Sequence, residues 1–237
     1  MNIKTSCLFT VLSTLVSFLP AEEKGADIPL EAPAGWGGET IDLPPGFAPG
    51  MKLQGLEKIR FAPGMFKPAT ESFFSYVFVF RLGPKQDLSL KTVREEILVY
   101  YRGLATAVGG DGIETGKFTL GLEKVKSSGG KGKKQAAVSA SGGVLDWIEP
   151  FRTKKPQKLR FEIHTWKGKP GKFSYLFCCA SPAALEKPIW KEMRGGRVKF
   201  LKARPPAGSA ESSAANWPSF RDRKSTRLNS SHSEISY

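Results

Sequence analysis

The chain has 237 residues and a formal net charge of +14, with 25 glycines and 17 prolines. That length suffices for one well-buried core. Three cysteines and two histidines exclude a disulfide framework and a zinc site built from several histidines.

Met1 to Lys4 is followed by an apolar run from Thr5 to Pro20 and by Ala21 ahead of Glu22-Glu23-Lys24. A basic start, an apolar stretch and a small exit residue make a secretory signal peptide. The run is too short, and too broken by Pro20 and the charges after it, for a stable membrane span. Residues 1–21 are therefore expected to be removed. The mature chain is expected to be exported (periplasmic or secreted) and to hold no transmembrane segment.

Residues 22–50 are rich in Pro and Gly, with turn signals at Pro44-Pro45-Gly46 and Pro49-Gly50. They enclose one short alternating piece, Glu39 to Leu43. Leu56 to Phe61 predicts a second strand, stopped by Pro63-Gly64. Ser72 to Phe80 is the strongest strand signal, with Phe73, Val77 and Val79 on one face and Phe74, Tyr76, Phe78 and Phe80 on the other. Apolar residues on both faces predict a central strand covered on both sides.

Leu90, Val93, Ile97, Tyr101, Leu104 and Val108 recur at spacings of three and four, which predicts a helix over about 89–108. Ser89 fits its N-cap, Glu95 and Glu96 lie toward the positive end of its dipole, and Gly109-Gly110 stops it. An antiparallel meander is expected next. Phe118, Leu120 and Leu122 alternate with polar positions, and Gly129 to Lys134 makes a flexible basic loop. Ala136 to Ile148 is extended, with a bend at Gly142-Gly143. Leu159 to Trp166 and Phe173 to Ala180 form a hairpin around Gly168-Lys169-Pro170-Gly171. A short helix from about Pro182 to Met193, ended by Gly195-Gly196, precedes a last extended piece, Val198 to Leu201.

These elements predict a single α+β domain over 22–202. It holds an antiparallel sheet of five to seven strands, with the main helix packed on one face and a short C-terminal helix. Residues 203–221 turn to Pro, Ala and Ser and read as linker. Residues 222–237, DRKSTRLNSSHSEISY, resemble a translated sequencing adapter, so they are expected to be foreign. His232 and the triplet Asn229-Ser230-Ser231 then carry no meaning, and the native chain is expected to continue past Arg221.

Charge is divided unevenly. Residues 22–121 hold eleven Lys and Arg against thirteen Asp and Glu, whereas residues 122–204 hold twenty against six. Such an excess favours polyanions, and outside the cytoplasm these are anionic lipid or acidic polysaccharide, not nucleic acid. A solvated basic surface accounts for the same composition.

Removing the foreign tail leaves His164 as the one histidine, so any triad or general base must use it. No G-x-S-x-G motif occurs. Gly129-Gly130-Lys131-Gly132-Lys133-Lys134 lacks the spacing of a phosphate loop. No metal set and no cofactor motif is visible. Cys7 falls in the signal, and the adjacent Cys178 and Cys179 are expected as two buried thiols on opposite faces of one strand.

One constellation remains. A four-residue turn at 168–171 sets Lys167 opposite Lys172 and His164 opposite Tyr175, and opposed residues share a face. Leu159, Phe161, Ile163, Thr165, Leu176, Cys178 and Ala180 then make an apolar face suited to lie under the main helix. Arg160, Glu162, His164, Trp166, Phe173, Tyr175, Phe177 and Cys179 make the other, where large aromatics mix with ionisable groups. This second face reads either as a ligand site or as an outer face with solvated charges. The leading expectation is a non-enzymatic exported binding or interaction module for an amphiphilic or anionic ligand. Two alternatives are a hydrolase using Glu162 and His164, with Asp146 or Glu149 assisting, and a cell-envelope structural protein.

Overall fold

The computed structural model describes residues 28–125, 138–168 and 173–203. The expected signal peptide, the basic loop Gly129 to Lys134, most of the hairpin turn and the 222–237 tail lie outside these residues. Seven strands form one antiparallel sheet in the order β1-β2-β3-β7-β6-β5-β4. They are β1 (Gly37–Leu43), β2 (Gly55–Phe61), β3 (Tyr76–Leu82), β4 (Thr119–Lys124), β5 (Ser139–Ile148), β6 (Pro156–Lys167) and β7 (Ser174–Ser181). Helix α1 (Leu90–Gly109) links β3 to the far edge strand β4, and helix α2 (Pro188–Ala203) follows β7. The protein is α+β, with a meander from β4 to β7 that returns the chain to the side of β3.

β3 and β7 lie at the centre and are buried along their whole length. Their apolar residues on both faces require a layer on each side. On one side α1 covers Tyr76, Phe78 and Phe80 of β3, Leu159, Phe161 and Ile163 of β6, and Leu176, Cys178 and Ala180 of β7. On the other, α2 covers Val77 and Val79 of β3, Trp166 of β6, and Tyr175, Phe177 and Cys179 of β7. Cys178 and Cys179 thus point into opposite layers of one strand as two buried free thiols.

β3 begins later than the expected Ser72. Residues 72–75 form a turn in which Phe74 has a φ of 47° and its N–H bonds to the Met65 carbonyl at 3.0 Å. Phe74 is buried all the same, against Tyr76 and Trp147 at ring separations of 5.5 and 5.2 Å.

In α1 the Ser89 hydroxyl accepts the Thr92 N–H at 3.3 Å, and the Gly110 N–H closes the far end on the Thr106 carbonyl at 3.0 Å. The buried stripe is Val93, Glu96, Ile97, Tyr100, Tyr101 and Ala105, so Val108 is exposed and Tyr100 takes part instead. Glu96 is no dipole partner, since the first turn holds no acid. Its carboxylate accepts the backbone N–H groups of Lys52 and Leu53 at 2.8 and 2.9 Å and so ties the 44–54 segment to the helix. That segment passes so close that a side chain on Gly103 would meet the Phe47 carbonyl oxygen at 2.2 Å.

The C-terminal helix departs most from expectation. Instead of stopping at Gly195-Gly196 and yielding to a strand over Val198 to Leu201, α2 runs unbroken to Ala203. Each glycine weakens a helix by about 1 kcal/mol. The stripe Trp190, Met193, Arg197 and Phe200 is buried at spacings of three and four, and its packing outweighs that loss.

Candidate functional site

The face beneath α2 holds the residues singled out above. Period-two alternation on β6 and β7 puts Glu162, His164 and Trp166 beside Tyr175, Phe177 and Cys179. The register pairs Trp166 with Tyr175, His164 with Phe177, Glu162 with Cys179 and Lys167 with Ser174. This is two residues away from the expected pairing of His164 with Tyr175 and Lys167 with Lys172. The turn is longer than four residues, with the Gly168 N–H bonded to the Phe173 carbonyl at 2.8 Å. A shift of two preserves which face each side chain occupies, so the composition of both faces stands.

Helix α2 covers this face. Phe200 packs on Trp166, Tyr175 and Phe177 at ring separations of 5.9, 6.4 and 5.7 Å, and Trp166 stacks on Tyr175 at 5.4 Å. Glu162 is fully buried. The Arg194 guanidinium donates to its carboxylate at 2.6 and 3.0 Å, and Arg197 donates at 3.2 Å. Arg194 also lies over the Trp190 ring, 5.6 Å from its centroid. The charge of Glu162 is therefore spent on holding α2 to the sheet.

His164 is buried, and that burial, aided by the Arg197 charge, pushes its pKa down to about 3. The imidazole is neutral at every physiological pH. Burial also pushes the Cys179 thiol up to about 12, which removes it as a nucleophile. The other candidates are dispersed. Arg160 donates to the Pro182 carbonyl at 2.6 Å, and Phe173 sits exposed at the hairpin end under the Arg81 guanidinium. Asp146 stands opposite Lys158, with which it forms an exposed ion pair.

The sequence pattern does not single out Arg194, Arg197, Trp190 and Phe200, since Gly195-Gly196 reads as a stop and leaves only a short helix with nothing to mark what it covers. The spacing of Trp190, Met193, Arg197 and Phe200 was the signal that could have found them.

A second buried acid lies on the α1 side. Glu57 of β2 is fully buried, and the Tyr100 hydroxyl donates to both its oxygens at 3.2 and 3.3 Å. Burial pushes its pKa up to about 8 against the pull of that hydrogen bond, so the carboxyl is mostly protonated at neutral pH. The Tyr76 and Tyr101 hydroxyls bond to each other in the same core. Enclosed on all sides, these groups serve packing.

An open groove of about 560 Å³ lies where the end of α1, the turn after it and the end of β5 meet. Ile113, Phe118, Trp147 and Ile148 give it an apolar lining. Beside it the fully buried Glu149 accepts the backbone N–H groups of Phe151, Arg152 and Thr153 at 2.6, 3.1 and 2.6 Å and the Thr153 hydroxyl at 2.8 Å. Glu149 therefore builds the loop from 149 to 155 and is turned away from any reacting group. Among the described residues no group of three His, Cys, Asp or Glu could hold a metal ion, and no helix is long and apolar enough to cross a membrane. The chain matches no family model, no curated protein and no solved structure.

Proposed function

We propose that the chain is a non-enzymatic binding or interaction module, acting outside the cytoplasm, for an amphiphilic or anionic ligand. The observation that carries this reading is the state of Glu162 and His164. A general base must reach a substrate proton with a pKa near the working pH. Glu162 is engaged by two guanidiniums behind a helix, and His164 holds its proton only below about pH 3. A hydrolase built on this pair would have to shed α2 before acting. A binding module needs only a shaped surface, and the lysine-rich half of the chain and the groove beside α1 supply candidates.

A screen of lipids and glycans, run beside a panel of ester, peptide and glycoside substrates, tests this reading. Saturable binding without turnover is expected. Turnover by the wild-type chain that disappears in both Glu162→Gln and His164→Gln would overturn it.

A further inference from the structure

The lining of the groove beside α1 includes a residue in an unusual backbone conformation. Lys154 has a φ of 50°, the left-handed backbone that glycine prefers. Just ahead of it the Glu149 carboxylate gathers the N–H groups of Phe151, Arg152 and Thr153, and the Glu149 N–H closes the loop on the Lys155 carbonyl at 3.0 Å. A lysine in a backbone that disfavours it, in a loop built around a fully buried acid and set in the lining of a groove, is a sign of function more than of stability.

Four charged residues line the groove, Glu114, Lys117, Asp146 and Lys154. Lys117 pairs with Glu114, and Lys158 with Asp146, both pairs exposed. Lys154 has no carboxylate against it among the described residues. Gly109, the last residue of α1, also lines the groove. Ile113, Phe118, Trp147 and Ile148 complete the lining on its apolar side. A ligand that complements this lining has an anionic head for Lys154 and an apolar body for Ile113, Trp147 and Ile148. A volume of about 560 Å³ suits a small molecule of that kind.

We propose that this groove binds a small, soluble, single-chain anionic amphiphile of the fatty-acid class, with its carboxylate at Lys154. The inference rests on the binding-module reading and gives that reading a place and a ligand class. The test is a titration of the full chain with sodium octanoate, followed by NMR on backbone amides and indole N–H groups, with octanol and inorganic phosphate as separate arms. Saturable octanoate shifts are expected at Ile113, Lys117 and the Trp147 indole, with octanol and phosphate each binding at least fivefold more weakly. Lys154→Gly suits the left-handed backbone and should leave the melting temperature unchanged or raised, yet weaken octanoate at least fivefold. Lys154→Glu should weaken it further, whereas Lys191→Ala, which removes one exposed charge on α2, should bind as wild type.

Lys154→Gly binding like wild type, octanol binding as tightly as octanoate, or shifts confined to α2 would each overturn the groove assignment. Octanoate binding elsewhere on the chain would defeat only this inference. A blank result here and across the lipid and glycan screen would defeat the binding-module reading as well.

Discussion

The two faces of the sheet are closed by one helix each, yet they treat a buried acid in opposite ways. Under α1, Glu57 is fully buried with the Tyr100 hydroxyl against it, and burial pushes its pKa up to about 8, so that the carboxyl is mostly protonated at neutral pH. Under α2, Glu162 meets Arg194 and Arg197, and its oxygens are satisfied by charged donors. The α1 layer is a broad aromatic core in which Trp147, Tyr101, Phe161 and Phe78 interlock, and it would persist without its acid. The α2 layer is smaller and is pinned by a charge triad, so its helix depends on electrostatic partners as well as on Trp190 and Phe200. A lone buried carboxyl is handled by neutralising it, and one facing arginines by pairing it.

The largest expected effects separate the layers by extent. Phe78→Ala and Trp190→Ala each remove a fully buried ring and should each cost about 3–5 kcal/mol. The α1-side change should lower the single melting transition of the whole chain. The α2-side change should first release one helix, seen as lost helical circular dichroism while the strand amides stay protected from exchange. Identical unfolding of both variants would mean the two layers form one cooperative unit.

The next effect is pH dependence, and its sign differs between the faces. Glu57 has a folded pKa near 8, above the ordinary 4.5, so the folded state holds a proton that the unfolded chain gives up. Stability present below about pH 4.5 is therefore lost as pH rises toward 8, by up to about 5 kcal/mol. His164 has a folded pKa near 3, below the ordinary 6.5. Its stability is present above about pH 6.5 and is lost as pH falls toward 3, by a similar amount. Denaturant midpoints measured from pH 3 to pH 9 check both. Glu57→Gln should flatten the alkaline slope alone, and His164→Gln the acid slope alone.

A smaller effect sharpens the contrast between the acids. Glu162→Gln leaves two guanidiniums without their counter-charge and should cost about 3 kcal/mol at pH 7, somewhat less than a fully enclosed pair because Arg194 is partly exposed. At the same pH Glu57→Gln should be neutral or stabilising. Chemical denaturation of the two variants side by side decides this, and equal losses would break the comparison. Smallest of all is Lys91→Ala, whose side chain is 78% exposed and whose contact with Glu95 is loose at 4.0 Å; it should change stability by less than about 0.5 kcal/mol.

Much of the α1 layer was legible because its signals are local and periodic. Val93, Ile97 and Tyr101 repeat at helical spacing, Ser89 caps, and Gly110 closes. The alternation in β6 and β7 assigned both faces even though the pairing was displaced by two residues, since parity alone decides the side. The α2 layer was less legible. Gly195-Gly196 is a valid stop signal in an isolated helix, and the helix continues past it because Arg197 and Phe200 beyond the glycines are buried against Glu162 and the aromatic rings of β6 and β7, far away in the chain. Lys154 gave no signal at all, because a lysine has no local preference for the left-handed backbone it adopts.

The sequence by itself determined the fold class, the main helix, the central strands and the opposed burial of Cys178 and Cys179. Each follows from the period of apolar residues along a short stretch of chain. Tertiary structure alone decided that the mixed aromatic and charged face is closed by α2, that Glu57 stays protonated while Glu162 is paired, and that Lys154 is set in the lining of a groove. These outcomes depend on which distant groups meet and how much water is excluded when they do. A pattern along the chain records neither.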